Sequence, residues 1–151
     1  MHVHIHEEPG RTSIEVQILC PPGSERAQAL ADRLRAEGGK IAAYPDAASS
    51  RRILVTIARV LRAESGSRGT LLHCDDGAAL ESPVSLRELE ATLASHEFLR
   101  VSRWDVVNFA KVRAISPAAN ARLLLELEGG ATVLATRSYV GGIKRKLQSI
   151  A

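Results

Sequence analysis
Phe98-Leu99-Arg100-Val101-Ser102-Arg103-Trp104-Asp105-Val106-Val107-Asn108 is the stretch on which the reading of this chain turns. Residues 98–103 read as a strand ending on an arginine, and Trp104 to Asn108 as the turn that follows it. Asn108 ends that turn, where its amide suits backbone groups better than a ligand. Working outward, strands are expected at 112–117, 122–128 and 131–136, with Gly129-Gly130 as a tight two-residue hairpin turn. Thr136-Arg137-Ser138 then leads into a last helix over 138–150. Val140, Ile143, Leu147 and Ile150 recur there at helical spacing. Gly141 and Gly142 each weaken this helix by about 1 kcal/mol relative to Ala, so tertiary packing must hold it.

Upstream, Ser85-x-x-Glu88 is a capping box, and Leu86, Leu89 and Leu93 form the apolar stripe of a helix over 85–95. Before it, strands are expected at Arg52–Ile57, Val60–Glu64, Thr70–Cys74 and Ala78–Glu81. Asp75-Asp76-Gly77 makes the turn between the last two. Residues 40–51, with Pro45, Asp46, Ser49 and Ser50, read as a connector. Residues 12–20 alternate, with Ile14, Val16 and Ile18 on one side and Ser13, Glu15 and Gln17 on the other, as a half-buried strand does. Pro21-Pro22-Gly23 breaks it. Ser24 then caps a helix bearing Ala27, Leu30, Ala31 and Leu34 on one face, and Gly38-Gly39 ends it. Three parts follow: a β-α appendage over 1–39, a connector over 40–51, and a main domain over 52–151.

Five of these pieces, in this order, resemble the LytTR family of bacterial DNA-binding domains. They are the Leu86-x-Glu88-Leu89-Glu90 helix, the Phe98–Asn108 block, the Val112–Ile115 strand, the Leu123–Gly130 hairpin and the Arg137-Ser138-Tyr139 block. Upstream, Val60 to Glu64 stands where the family has a strand beginning with Asp and carrying Tyr; Arg59 and Arg62 replace those two. The resemblance covers residues 53–149, about two-thirds of the chain. It implies an α+β, mostly β module of small packed antiparallel sheets with two flanking helices. It also implies a sequence-specific transcriptional regulator without catalysis or cofactor, reading successive major grooves of promoter repeats through loops and strand ends. A homodimer is expected, as is a small membrane protein that holds the regulator inactive. The β-α appendage resembles the lead-in of small regulators of this family that lack a receiver domain.

Charge agrees. Residues 1–97 hold 11 Lys/Arg against 14 Asp/Glu, whereas residues 98–151 hold nine against three. The basic excess thus lies on the segment with the family blocks, as an electrostatic footprint for phosphate requires. The overall composition, 25% charged and 45% apolar, is that of an ordinary globular domain and excludes a low-complexity chain. Met1 to Glu7 has no apolar core of a signal peptide, and no apolar run approaches a membrane span, so a cytoplasmic protein is expected. Cys20 and Cys74 both fall in strand-like runs and are expected as buried thiols.

By resemblance, Arg103 and Arg137 are the DNA-contacting arginines. The arginine fork matches guanine O6 and N7. The bland alternatives are a free surface arginine for Arg103, and a cap or ion pair with Glu126 or Glu128 for Arg137. Arg68, with Ser67 beside it, is the candidate on the 65–69 loop. Ser102 and Trp104 stand where His and Ser are common in the family. Ser102 could donate to a phosphate, while Trp104 is first a core residue and second a contact to a thymine methyl or sugar. Arg100 is either a phosphate contact or an ion-pair partner of Glu90 or Glu97. Lys111 and Lys146 are solvated charges that add to phosphate attraction.

Two other functions stay open. One is a protein-binding anti-regulator that kept the fold without DNA affinity. The other is a metal-binding protein using His2, His4 and His6, which a strand would align on one face at about 7 Å spacing, wide for a shared ion. No Ser-His-Asp order, HExxH, CxxC pair or phosphate-binding glycine loop is present.

Overall fold
The computed structural model describes residues 1–12, 14–37, 39–46 and 48–150. Helix α1 (Glu25–Glu37) begins where Ser24 Oγ accepts the Ala27 N–H at 3.2 Å, as its sequence predicts. It lies on the strand that follows and against α2 (Leu86–Leu93). That strand, β1 (Lys40–Ala43), pairs antiparallel with β2 (Ile53–Thr56). The expected connector therefore opens with a strand. Ile41 and Ala43 alternate into the core, a period too short to stand out beside Pro45 and the serines.

A five-stranded antiparallel sheet forms the centre. It contains β3 (Val60–Gly66), β4 (Gly69–Cys74), β5 (Ala79–Ser82), β6 (Phe98–Arg100) and β7 (Asp105–Asn108), in the order β5-β4-β3-β7-β6. Main-chain bonds at 2.7 Å in both directions between Tyr44 and Glu81 bridge the two-stranded sheet to its β5 edge. A three-stranded sheet follows, with β9 (Arg122–Leu127) between β8 (Val112–Ala118) and β10 (Thr132–Ala135). A short helical turn, Arg137–Tyr139, leads into α3 (Val140–Ile150).

The central sheet has a core on each face. One gathers Val60, Ala63, Leu72, Val106 and Phe98 under Leu86, Leu89 and Leu93 of α2, with Ile41 and Val55 from the small sheet. The other gathers Leu61, Val107 and Phe109 with Leu125, Leu127, Val133 and Ile143. Strand β3 feeds both cores, and a bulge between Val60 and Arg62 lets Val60 and Ala63, three residues apart, share one of them. Truncating a fully buried leucine in either core, Leu89 or Leu125, costs about 2–5 kcal/mol.

Strand β7 corrects the expectation of a turn at 104–108. Val106 and Val107 are neighbours, point to opposite faces and are both wholly buried, so the run shows no alternation. Asn108 is buried, donates to the Val60 carbonyl at 3.0 Å and accepts the Ala110 N–H at 3.1 Å, which is the backbone role expected of it.

The Gly129-Gly130 turn is longer than expected. Leu127 N–H donates to the Ala131 carbonyl across three residues, and both glycines sit at positive φ (83° and 92°), which disfavours side chains. The strand expected at 12–20 does not form among the described residues. Ile14 and Leu19 are almost fully exposed there. Alternation specifies which side would be buried, but no sheet edge pairs with it. Cys20 is consequently exposed, against expectation, while Cys74 is buried on β4. Met1 to Thr12 forms no strand either, so nothing aligns His2, His4 and His6. No metal-ligating cluster occurs among the described residues. Among the described residues, no helix is long and apolar enough to cross a membrane.

Candidate nucleic-acid interface
One edge of the molecule is made by three loops that the sequence separates widely. The β3–β4 hairpin turns at Ser67 and Arg68. Residues 101–104 join β6 to β7. Residues 136–139 join β10 to α3. Two main-chain hydrogen bonds clip them together. Ser65 N–H donates to the Trp104 carbonyl at 2.8 Å, and Thr136 N–H donates to the Val101 carbonyl at 2.9 Å. The middle loop is thus held from both sides.

Arg68, Arg103 and Arg137 are exposed, one on each loop. Among the described residues none of the three makes an ion pair, so neither Glu126 nor Glu128 holds Arg137. Arg103 lies over the ring of Trp104, its guanidinium carbon 5.8 Å from the centroid. Trp104 is 59% exposed, which overturns the expectation of a core residue. Its side chain belongs to the surface because the clipped loop turns residues 103 and 104 away from both cores. Ser67 is exposed beside Arg68.

The hairpin tip is fixed at its base. Gly69 has φ 136°, and a Cβ there would lie 2.2 Å from the Ser82 carbonyl oxygen. Only glycine lets β4 pass so close to β5. Thr70 Oγ1 donates to the Val84 carbonyl at 2.6 Å just behind it. Arg68 therefore projects from a turn whose base is tightly packed.

Other candidates face the protein. Ser102 is 4% exposed; its hydroxyl accepts the N–H groups of Trp104 (3.1 Å) and Asp105 (3.0 Å) and donates to the Asp105 carboxylate at 3.2 Å. It caps the loop from within. Arg100 donates to the Ser102 carbonyl at 2.7 Å, the Arg103 carbonyl at 2.7 Å and the Glu90 carboxylate at 2.8 Å. Of the two partners expected for it, Glu90 is the one it has. Lys111 and Lys146 stand toward the opposite end of the strands. Lys111 pairs with Glu128 and Lys146 with Glu97, so neither joins the three-loop edge.

Asp105 escaped the sequence reading. It accepts Arg62 Nη1 at 2.6 Å and the Ser102 hydroxyl, tying the loop to β3. The spacing Ser102-x-x-Asp105 was a signal for such a capped turn. Arg62, seen in the sequence only as a departure from Tyr, also contacts Glu64, which in turn contacts His73 at 2.7 Å.

The LytTr DNA-binding domain family matches this chain over residues 50–148. Among solved structures, the LytTr DNA-binding domain of a Bacillus cereus protein is similar, with a TM-score of 0.63 and 23% identity. The match covers 72% of this chain and 96% of that one. That likeness concerns the fold. No curated protein matches the chain at a significant level.

Proposed function
Since the chain belongs to the LytTr DNA-binding domain family, we propose that its three-loop edge binds duplex DNA sequence-specifically and that the protein regulates transcription. The observation that carries this reading is the clipping of the three loops, which sets Arg68, Arg103 and Arg137 on one edge without acidic partners among the described residues. Unpaired guanidinium groups keep all their donors for phosphate or base edges.

In this reading Arg103 offers its fork to a guanine, steered by the Trp104 ring beneath it. Trp104 packs on a sugar or a thymine methyl. Arg68 and Arg137 reach the flanking groove segments, and Ser67 donates to a phosphate. Ser102 and Arg100 shape the loop from behind. A homodimer on repeated half-sites would place two such edges on one face of the duplex.

Titration of the full chain against labelled genomic duplexes at several salt concentrations tests this. Binding should weaken steeply with salt, by a log–log slope of about −0.9 per phosphate neutralised. A chain that captured no duplex at low salt, yet bound a protein partner, would be the anti-regulator instead.

A further inference from the structure
We propose that Arg100 is a positioning residue for the DNA-reading loop and that Glu90 makes helix α2 part of the readout. This rests on the DNA-binding reading above. Arg100 and Arg103 are three residues apart in one basic block, yet the fold separates their tasks. The guanidinium of Arg100 spans the loop from inside, with Nε on the Ser102 carbonyl and Nη2 on the Arg103 carbonyl, both at 2.7 Å. Its remaining nitrogen, Nη1, is on Glu90 at 2.8 Å.

Those two carbonyls flank the peptide that carries Arg103. A planar guanidinium binding both fixes the direction in which the next two side chains leave the backbone. The Ser102 hydroxyl accepts the N–H groups of Trp104 and Asp105 from the same side, and Arg62 holds Asp105. The Ser102 and Arg103 carbonyls and the Trp104 and Asp105 N–H groups are thus engaged from the inner side, while the Arg103 and Trp104 side chains are exposed. Among the described residues, Glu90 is the helix-borne partner in this set of side-chain bonds. It sits on the helix whose Leu86, Leu89 and Leu93 anchor one core. The Arg100–Glu90 pair therefore adds a direct polar link from α2 to the loop, beside the packing of Leu86, Leu89 and Leu93 in the core that holds Phe98 and Val106.

A phosphate-binding Arg100 would act differently. Its loss would remove one counterion-releasing contact and weaken all sequences alike. A positioning Arg100 sets the pose of other side chains, so its loss should erase the preference between sequences.

Trp104 supplies the readout, because it is the chain's single tryptophan and lies on the loop. Three variants of the full chain, Arg100→Lys, Arg100→Ala and Glu90→Ala, are compared with the parent. Steady-state anisotropy of Trp104 is measured in the free protein, and affinity is measured on a preferred and a scrambled duplex over a salt series. Lysine supplies one point charge where the fork made three bonds, and it keeps the fold measurable if alanine does not.

The expected result is a lower Trp104 anisotropy in all three variants and a loss of about tenfold or more on the preferred duplex. The scrambled duplex and the salt slope should be unchanged. Glu90→Ala is decisive, because it keeps Arg100 and removes a negative charge. If Arg100 grips phosphate, this variant binds both duplexes more tightly, and the proposal is overturned. Unchanged anisotropy in the Arg100 variants, with the salt slope reduced by about 0.9, overturns it as well. A looser Trp104 with full discrimination between the duplexes sinks the assignment of base reading to this loop, which separates failure of the DNA-reading model from failure of Arg100's hold.

Discussion

Arg62 on β3 donates to Asp105 on β7 at 2.6 Å across 43 residues of sequence, and Asp105 then receives the Ser102 hydroxyl. Both side chains are mostly buried, with 22% and 17% exposure. The pair therefore connects the centre of the main sheet to the loop that presents Arg103.

Removing Asp105 leaves Arg62, among the described residues, only the longer contact to Glu64 at 3.4 Å and frees the Ser102 hydroxyl. Asp105→Ala is expected to destabilise the protein by about 1.5–3 kcal/mol, the range for hydrogen bonds to charged groups. Urea unfolding gives this directly. A change under 0.5 kcal/mol would mean that solvent replaces the pair without cost.

Arg103→Ala should cost about 1–3 kcal/mol on a preferred duplex and relax sequence preference. Lys146→Ala should leave both affinity and salt slope nearly unchanged, because Lys146 is already paired with Glu97 away from the three-loop edge. Equal losses from the two variants on preferred and scrambled duplexes would show that Arg103 does not read bases.

Gly69→Ala should cost about 2 kcal/mol or more, since the backbone must open where the Cβ would meet the Ser82 carbonyl and φ is positive. The hairpin tip would shift with it, so Arg68 should lose its contribution to DNA affinity. An alanine variant that melts with the parent would place the β4–β5 contact elsewhere.

The two cysteines should separate chemically. Burial pushes the Cys74 thiol up from its ordinary value, with the carboxylates of Asp76 and Asp75 acting in the same direction. The folded state then holds this proton longer than the unfolded state. Stability from this group is complete below the ordinary thiol pKa of about 8.5 and declines as pH rises beyond it. Urea midpoints of the parent should fall more steeply above that pH than those of Cys74→Ala. Mass mapping after brief alkylation at neutral pH should find exposed Cys20 modified and Cys74 intact.

Much of the fold was legible because its signals are local. Ser24 and Ser85 cap the helices they were expected to cap. The stripe Leu86, Leu89 and Leu93 is buried as its spacing requires. Strand β7 was not legible, because a strand covered on both faces has no alternation, and Trp104–Asn108 passed for a turn. The strand expected at 12–20 failed for the opposite reason. Its alternation is clear, but a strand also needs an edge to pair with.

The sequence by itself determined the helices with their caps, most of the strands between residues 53 and 135, and the family to which the 98–137 blocks point. It also placed the basic excess on the half that carries them. Tertiary structure decided which of these basic side chains are free. Arg100 and Arg103 read alike in sequence, but Glu90 lies ten residues from one of them across a helix–sheet contact and engages it, while Arg103 is left against Trp104. Lys146 and Lys111 are claimed in the same way by Glu97 and Glu128. Periodicity and capping depend on neighbours within a few residues and are written in the chain. The availability of a charge depends on what folding brings beside it, and no local pattern records that.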